Sequence, residues 1–384
     1  MNENSVYIFD CLRTPIGSAN KSLKEFKASE LAASVIDALL KRNPTSQESI
    51  AEVILGNTVS AGTGQNLARH AVSLSNLSLK TPAYVVNNVC GSGLQAVILA
   101  AQKIKTQEAD IVIAGATESA THNPTLLNRN KEEQDSLQQD GLFCSLAQKS
   151  MGEICEDLAK NKNISRQKQD TYALESHQRA CAARKKGDFK NEIVPMSVTG
   201  SKNFSEDERP REKTSLEKLA RLPCAFHDEG SITAGNASSA ADGACAFLIA
   251  SQKYVERNKI VPLAKILGYV SMAFEPSRVF EDGIEVIIKC LNAIGLKMEE
   301  IDLFEVTEAF AAQAVFTQEQ LTIPKDKMNI FGGDVALGHP LGIAGARALV
   351  TLVHALKNRK KNKGIVYTPF GAGGAIALAV ESVL

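Results

Sequence analysis

Apolar positions along the chain follow two patterns that alternate from the N-terminal part onward. Short continuous apolar runs are typical of buried strands, and apolar positions three or four residues apart indicate amphipathic helices. In the N-terminal part these patterns predict strands at 6–9, 53–55, 84–89 and 110–115, and helices at 28–40 and 93–104. The strand at 110–115 is expected to end in a glycine-rich turn. This alternation of strands and helices predicts an α/β protein.

The C-terminal part repeats the same succession of elements. Its patterns predict strands at 264–270, 303–306, 364–368 and 375–380, and helices at 283–294, 309–321 and 342–356. The N-terminal part has one more predicted strand, at 244–250, but about 130 polar, charged and irregular residues precede it. We interpret the chain as a duplicated α/β unit with a large insertion in the first copy. The first unit comprises residues 1–118 and 242–258, the inserted loop domain comprises 119–241, and the second unit comprises 259–384.

Charge and cysteine content narrow the classes of partner and cofactor. Lys and Arg together number 43, as do Asp and Glu, which argues against a dedicated nucleic-acid or anionic-membrane binder. No apolar run reaches the roughly 18 residues that a membrane-spanning helix needs. The first 15 residues lack the basic and apolar segments of a secretion signal. None of the eight cysteines forms a CxxC pair, so we expect no metal site and a cytoplasmic protein with reduced thiols.

The segment 87–93, Asn-Asn-Val-Cys-Gly-Ser-Gly, contains the first candidate for chemistry. Cys90 lies between a predicted buried strand and the first turn of a predicted helix. Unpaired backbone N–H groups and the helix dipole favour a thiolate over a thiol at such a position. The neighbouring glycines permit a tight turn and the close approach of a substrate. Cys90 is therefore a candidate nucleophile; the alternative is a small buried apolar side chain, as most free cysteines are.

A second candidate, His339, lies in a glycine-dense loop that precedes the predicted helix 342–356. Such a loop is not typical of a core histidine. His339 can take the proton of a thiol and later donate a hydrogen bond to a thioester oxygen. The remaining histidines stand in contexts that indicate surface or structural positions.

Two more turns complete the set of candidate segments. Thr307 begins the sequence Thr-Glu-Ala-Phe at a strand-to-helix turn, where it either contributes to the site or simply caps the helix. Gly371 lies in a glycine-rich turn, residues 370–374, between two predicted strands. The backbone N–H groups of that turn can bind an oxyanion, and the alternative is an ordinary hairpin turn.

These four segments, in this order and at these separations, resemble those of the thiolase superfamily. The likeness extends over nearly the whole chain. It includes the segments 13–17, 64–69, 150–152, 164–170 and 233–238, and it continues to the last predicted hairpin.

The resemblance implies a five-layered α/β/α/β/α fold of two similar halves, with an inserted loop domain that binds coenzyme A. It implies that Cys90 becomes acylated, that His339 activates it, and that the N–H groups of Cys90 and Gly371 form an oxyanion hole. It implies acyl-CoA as the substrate, no tightly bound cofactor, and a homodimer or homotetramer. The positions that correspond to the pantetheine and nucleotide site of the family are Met151, Arg211, Leu222 and Ser238.

Four residues depart from the family pattern. Thr307 stands where members carry the Asn that fixes a water in a second oxyanion hole. Pro369 stands at the position of a second cysteine, the acid/base that deprotonates the attacking acetyl-CoA. Phe331 replaces a usual Asn and Ala344 a usual Ser. Since proline has no titratable group, His339 is the only obvious base for the carbon–carbon step.

Three functions follow from this combination. The first is an acyl-CoA C-acyltransferase that cleaves 3-ketoacyl-CoA or condenses acetyl-CoA through an acyl-enzyme on Cys90. The second retains the acyl-enzyme but uses a decarboxylative or non-CoA acceptor, because Pro369 replaces the second cysteine. The third is a catalytically weak subunit that binds CoA or partners within an oligomer.

Overall fold

A computed structural model describes residues 5–383, apart from the side chains of residues 45, 46, 201 and 202. Residues 1–4, part of the stretch without a secretion-signal pattern, lie outside the described residues. The elements before residue 120 are β1 (Val6–Arg13), β2 (Gly17–Ser18), α1 (Ala28–Arg42), β3 (Val53–Gly56), α2 (Leu67–Leu74), β4 (Ala83–Val86), α3 (Ser92–Lys105) and β5 (Ile111–Ser119).

The next part of the chain holds short strands and three helices. They are β6 (Thr125–Leu127), β7 (Glu133–Asp135), β8 (Phe143–Cys144), β9 (Lys149–Ser150), α4 (Met151–Asn161), α5 (Arg166–Lys186), β10 (Met196–Val198), β11 (Ser201–Phe204) and α6 (Leu216–Ala220). The remaining elements are β12 (Ala241–Ser251), α7 (Gln252–Arg257), β13 (Ala264–Ala273), α8 (Val279–Asp282), α9 (Glu285–Ala293), β14 (Leu303–Val306), α10 (Ala311–Gln320), α11 (Asp334–Leu337), α12 (Ala344–Arg359), β15 (Lys363–Phe370) and β16 (Gly374–Ser382).

The strand order demonstrates the duplication. The sheet has the order β14-β15-β16-β13-β1-β12-β5-β3-β4, and the antiparallel pair β1–β13 joins its two halves. When the strands of each half are numbered from 1 to 5 in chain order, both halves have the order 1-5-4-2-3, read outward from the central pair β1–β13. In the second half, a parallel bridge between Phe304 and Met328 marks the place of the third strand. The two halves therefore repeat one topology, as the sequence predicted.

Five layers stack in the order helix, sheet, helix, sheet, helix. α3 packs on β3 and β5, α12 packs on β14 and β15, and these two helices contact each other in the central layer. α1 and α9 cover the opposite faces of the two halves. Alternate residues of β5 point to opposite faces: Val112 and Ala114 pack with α3, whereas Ile111 and Ile113 pack under α1. The predicted five-layered α/β fold is confirmed.

The central position of α12 explains its composition. Every residue from Ala344 to Leu356 is buried, because sheet or helix covers each face of α12. Most of these side chains are apolar, as is typical of a helix buried on all sides, and the buried Arg347 has an internal partner in Asp334. This arrangement places the start of α12 next to the start of α3, since the amide of Gly345 lies 3.5 Å from the carbonyl oxygen of Cys90.

The insertion is more regular than its sequence indicated. The prediction of irregular structure was wrong for α5, a helix of 21 residues. Its buried face carries polar side chains, such as Asp170, Ser176 and His177, so no apolar periodicity marks it. Each of these side chains has a partner; Ser176, for example, donates to Glu308 Oε2 at 2.9 Å. The domain boundaries drawn at 118 and 242 stay predictions.

Two strand ends also differ from the predictions. β5 continues to Ser119 instead of turning at Gly115, because β12 pairs with it along its whole length. A side chain at position 115 would lie 2.2 Å from the carbonyl oxygen of Cys245. Gly115 therefore allows the backbones of β5 and β12 to approach each other closely, and it does not form a turn. β4 ends at Val86, three residues before the predicted end. Within residues 5–383, no helix is long and apolar enough to cross a membrane.

Candidate active site

The turn between β4 and α3 holds Cys90 in a strained backbone. Val89 has a φ of 49°, a left-handed value that is unfavourable for a β-branched residue. The Ser92 hydroxyl donates to the Val89 carbonyl at 2.6 Å and accepts from the Asn88 amide at 2.8 Å. The Thr58 hydroxyl donates to the same carbonyl at 3.1 Å. These bonds fix the turn, and α3 begins two residues after the cysteine, so Cys90 lies before the first turn of a helix as the sequence predicted.

The other side of Cys90 faces the turn after β15. A side chain at position 91 would lie 2.7 Å from the ring of Phe370, so only glycine permits this approach. A side chain at Gly371 would lie 3.5 Å from Val89 and 3.7 Å from the sulfur of Met151. Gly371 is therefore next to the Cys90 turn. Residues 370–374 also connect the antiparallel strands β15 and β16, so they form the hairpin turn of the alternative interpretation as well.

His339 is the nearest side-chain partner of the cysteine. Its Nε2 atom lies 3.3 Å from Cys90 Sγ, and Cys90 as a whole residue is 8% exposed. The preceding Gly338 has a φ of 102°, which favours glycine, and the amide of His339 donates to the carbonyl of Ser239 at 2.9 Å. The two residues that the sequence singled out are thus within hydrogen-bonding distance.

Asp334 completes a row of three groups and was missed by the sequence analysis. Its Oδ2 atom lies 3.2 Å from His339 Nδ1, and its Oδ1 atom accepts from Arg347 Nη2 at 2.9 Å. The amide of Glu308 donates to Oδ2 at 3.1 Å. The sequence feature that could have indicated it is a single carboxylate five residues before His339, directly before the apolar segment 335–337.

The three groups change one another's proton affinity. Burial raises the pKa of Asp334, but Arg347 and His339 outweigh this effect and hold it below its usual value. Burial lowers the pKa of His339, but the Cys90 sulfur and the Asp334 carboxylate outweigh it and raise the pKa to about 10. At neutral pH the arrangement therefore favours a protonated imidazole beside the sulfur.

A cavity of about 220 Å³ opens onto this pair. Its wall includes Pro369, Met151 and Ser238, together with Gly371. Its apolar part comprises the phenylalanines Phe226, Phe280, Phe310 and Phe370. Among the described residues that line it, Cys90 and His339 are the only ones with a group that titrates. Residues 5–383 contain no cluster of three or more His, Cys, Asp or Glu placed to hold a metal ion.

Thr307 lies in the interior and does not line this cavity. Its amide donates to the carbonyl of Tyr367 at 3.0 Å, and its hydroxyl has no partner among the described residues. The alternative that Thr307 caps the next helix is wrong, because α10 begins at Ala311 with Phe310 as its N-cap. A buried hydroxyl without a partner is costly, so a water is expected beside it.

The neighbouring Glu308 has a structural position. Its carboxylate accepts from the Tyr172 hydroxyl at 2.9 Å, from Asn329 Nδ2 at 2.6 Å and from the amide of Val335 at 3.1 Å. These bonds tie α5 of the insertion to the segment that carries Asp334. Burial raises the pKa of Glu308, and the hydrogen bonds oppose that effect.

The four residues expected to bind coenzyme A separate into two pairs. Met151 and Ser238 line the cavity beside Cys90. Arg211 is exposed outside it, and its amide donates to His177 Nδ1 at 3.2 Å. Leu222 is half-buried against Gly235 and does not reach the cavity. The roles of all four stay predictions.

The two remaining departures from the family pattern have simple packing roles. Phe331 is buried, and its ring meets Phe189 edge-on with 5.8 Å between the ring centroids. Ala344 is the first residue of α12 and is also buried. Neither side chain lines the cavity at Cys90.

Comparison with known proteins identifies the class that this fold and site define. Residues 6–253 match the family model for the N-terminal domain of thiolase, and residues 260–382 match that for its C-terminal domain. The chain therefore belongs to the thiolase family. The membership, the fold and the acyltransferase class predicted from the sequence are confirmed.

Individual relatives resemble the chain over their full length. An acetyl-CoA acetyltransferase of Chromobacterium violaceum is 42% identical, over 98% of this chain and 99% of that protein. The crystal structure of human mitochondrial 3-ketoacyl-CoA thiolase is 36% identical, with a TM-score of 0.95 over 99% of both chains. A structure of the same human protein in complex with CoA has a TM-score of 0.94 over 98% of both chains.

Proposed function

We propose that this protein transfers acyl groups of acyl-CoA by way of a thioester on Cys90, either cleaving 3-ketoacyl-CoA with CoA or condensing acetyl-CoA. The observation that carries the proposal is the distance of 3.3 Å between Cys90 Sγ and His339 Nε2 at the cavity. A thiolate at a helix start, beside a protonated imidazole, is an activated nucleophile.

The acylation step uses these two side chains. The Cys90 thiolate attacks the thioester carbonyl, and its C–S bond forms as the bond from the carbonyl carbon to the CoA sulfur breaks. The backbone N–H groups of Cys90 and Gly371 stabilise the oxyanion. The protonated His339 gives its proton to the leaving CoA thiolate, so the products are acyl-Cys90, neutral His339 and free CoA.

The carbon–carbon step then depends on the same histidine. Pro369 lines the cavity and offers no acid or base, and no second thiol lines it among the described residues. Neutral His339 takes a proton from the α-carbon of a second acetyl-CoA. The resulting enolate attacks the thioester of Cys90, which restores the thiolate and the protonated imidazole. Cleavage of a 3-ketoacyl-CoA is the reverse sequence.

The substrate site extends from this pair towards the insertion. Met151 and Ser238 are proposed to contact the pantetheine arm, and Leu222 and Arg211 the nucleotide part. The half-buried Arg209 next to Arg211 adds a second cation that suits phosphates. The CoA complex of the human relative supports CoA as the ligand. We further propose a cytoplasmic homodimer or homotetramer without a tightly bound cofactor.

The test is a steady-state assay of acetoacetyl-CoA cleavage by CoA. The wild-type protein is expected to form acetyl-CoA, and the variant Cys90→Ala to lose this activity. Cys144→Ala is the matched control, because Cys144 is a second buried free thiol outside the cavity at Cys90. Full activity of Cys90→Ala would overturn the proposal. Its relatives' names give no support to the two alternative functions, a different acyl acceptor or an inactive subunit.

A further inference from the structure

We propose that Asp334 is a positioning residue that holds His339 with Nε2 directed at the reacting atoms and with a proton on Nδ1. The inference rests on the proposed function, since it assigns Asp334 a role in activating Cys90. Nothing in the motifs that indicate the family points to this residue.

The geometry supports a positioning role. The imidazole ring of His339 has its two nitrogens 3.3 Å from Cys90 Sγ and 3.2 Å from Asp334 Oδ2, so the ring spans the gap between the sulfur and the carboxylate. A carboxylate that accepts from one ring nitrogen fixes the tautomer and the orientation of the ring. Once His339 is neutral, the proton remains on Nδ1 and the lone pair of Nε2 faces the cavity.

Asp334 is itself held in place. Its second oxygen accepts from Arg347 Nη2 at 2.9 Å, and the amide of Glu308 donates to the first at 3.1 Å. Asp334 and Arg347 are fully buried. A buried carboxylate with its acceptor positions taken by fixed donors has little freedom, so the imidazole is held against a rigid support.

The surrounding charges favour the same protonation state. The charged or titratable groups from the elements packed around Asp334 and His339 are Cys90, Glu192, Arg209, Glu305, Glu308 and Arg347. Burial raises the pKa of Glu305 well above its usual value, which favours the neutral form of this carboxyl group. The Asp334 carboxylate lies directly against the imidazole, 3.2 Å from Nδ1. Its removal takes away a negative charge that favours the protonated imidazole.

This role matters more here than in a site with two bases. Since His339 is the only side-chain base among the described residues that line the cavity, its Nε2 atom must serve both the sulfur and the α-carbon. A fixed ring with a defined lone pair can serve both, because the two reacting atoms occupy the same side of the ring in turn.

The test measures alkylation of Cys90 by iodoacetamide as a function of pH, with the Cys90 peptide quantified by mass spectrometry. This readout needs no acyl-CoA, so it is independent of whether the proposed function holds. The variant Asp334→Asn retains the shape and removes the charge. The rate of Cys90 alkylation in this variant is expected to fall about tenfold or more at about pH 6 and to change little at about pH 9. The reason is that a neighbouring opposite charge, here the Asp334 carboxylate beside the imidazole, shifts a pKa by about one unit or more.

The matched control is Ser176→Ala. Ser176 accepts from the amide of Gly333 at 3.1 Å, so this variant disturbs the same turn without removing a charge. It is expected to lower the melting temperature and leave the pH profile of alkylation unchanged. If the folded variant Asp334→Asn and the wild-type protein showed the same dependence of the alkylation rate on pH below neutrality, the inference would be overturned.

A second measurement covers the case in which Asp334→Asn does not fold. In ¹⁵N-histidine NMR spectra of the wild-type protein, the resonances lost in His339→Gln belong to His339. At about pH 8 both ring nitrogens of His339 are expected to be protonated, and Nδ1–H to be hydrogen-bonded. A neutral ring with an unprotonated Nδ1 would contradict the inference. Activity assays of the wild-type protein would reveal separately whether the proposed function fails.

Discussion

Cys90 and His339 are 249 positions apart in the chain, and their reacting atoms lie 3.3 Å apart. The duplication explains how this happens. α3 and α12 are equivalent helices of the two halves, they contact each other in the central layer, and their starts meet. One half supplies the nucleophile immediately before its helix, and the other half supplies the base from the loop before its own.

Pro369→Cys tests the consequence of having a single base. Position 369 lines the cavity, so a thiol there would lie close to the second substrate. We expect acetoacetyl-CoA cleavage to become faster, within the roughly 10²- to 10⁴-fold that general acid–base catalysis contributes. Pro369→Ala is the control, since it relaxes the backbone without adding an acid or base. Equal rates for the two variants would show that the missing thiol does not limit the reaction.

Thr307→Val tests the buried hydroxyl. Valine has nearly the same shape, and the Thr307 hydroxyl has no hydrogen-bond partner within residues 5–383, so the melting temperature should stay within a few degrees. If that hydroxyl holds a water that stabilises the oxyanion, kcat falls, by up to about 10²-fold. Unchanged kcat would remove Thr307 from the catalytic set, and its role would then be packing alone.

Much of the fold could be predicted from the sequence, because its central layer is apolar in a regular way. The segments 93–104 and 342–356 became α3 and α12 with ends shifted by one to three residues. α5 could not be found by the same means, because its buried face includes Asp170 and Ser176, which tertiary hydrogen bonds satisfy. Periodicity detects apolar burial, and it does not detect polar burial.

The candidate site likewise contains residues that the sequence predicts and one that it does not. Cys90 and His339 stand in glycine-rich turns before helices, and such local contexts are visible in a sequence. Asp334 stands in a segment that is otherwise apolar, and its partner Arg347 is 13 positions away on the next helix. Its contact with His339 depends on the fold of the loop between them, which sequence patterns do not specify. Arg211 and Leu222 illustrate the opposite case, in which a family position was named but lies away from the cavity.

Arg347→Met tests the support behind Asp334. Both side chains are fully buried, and removal of one partner of a buried ion pair typically costs about 3–5 kcal/mol. We expect the free energy of unfolding, measured in urea, to fall by that order. Lys168→Met is the control, because the pair Lys168–Glu319 is about half-exposed and such pairs contribute about 0–1 kcal/mol. Similar losses for both variants would mean that Arg347 is not a structural anchor.

The raised pKa of His339 gives a pH dependence of stability with a definite sign. The pKa of His339 rises from 6.5 to about 10 on folding. Such a group stabilises the folded state, and its contribution is fully present at pH values below its pKa in the unfolded chain. This contribution is lost as the pH rises through about 10. The difference in free energy of unfolding between wild-type protein and His339→Gln should therefore shrink between about pH 7 and about pH 10. A difference that grows over this range would contradict the assigned protonation state.

The most direct measurement is the mass of the intact protein after brief exposure to acetyl-CoA, followed by localisation of any adduct in peptides. We predict the gain of one acetyl group, carried by the Cys90 peptide, together with one equivalent of free CoA, and no gain in Cys90→Ala. An unmodified wild-type protein, or an acetyl group that resides only on another residue, would contradict the account.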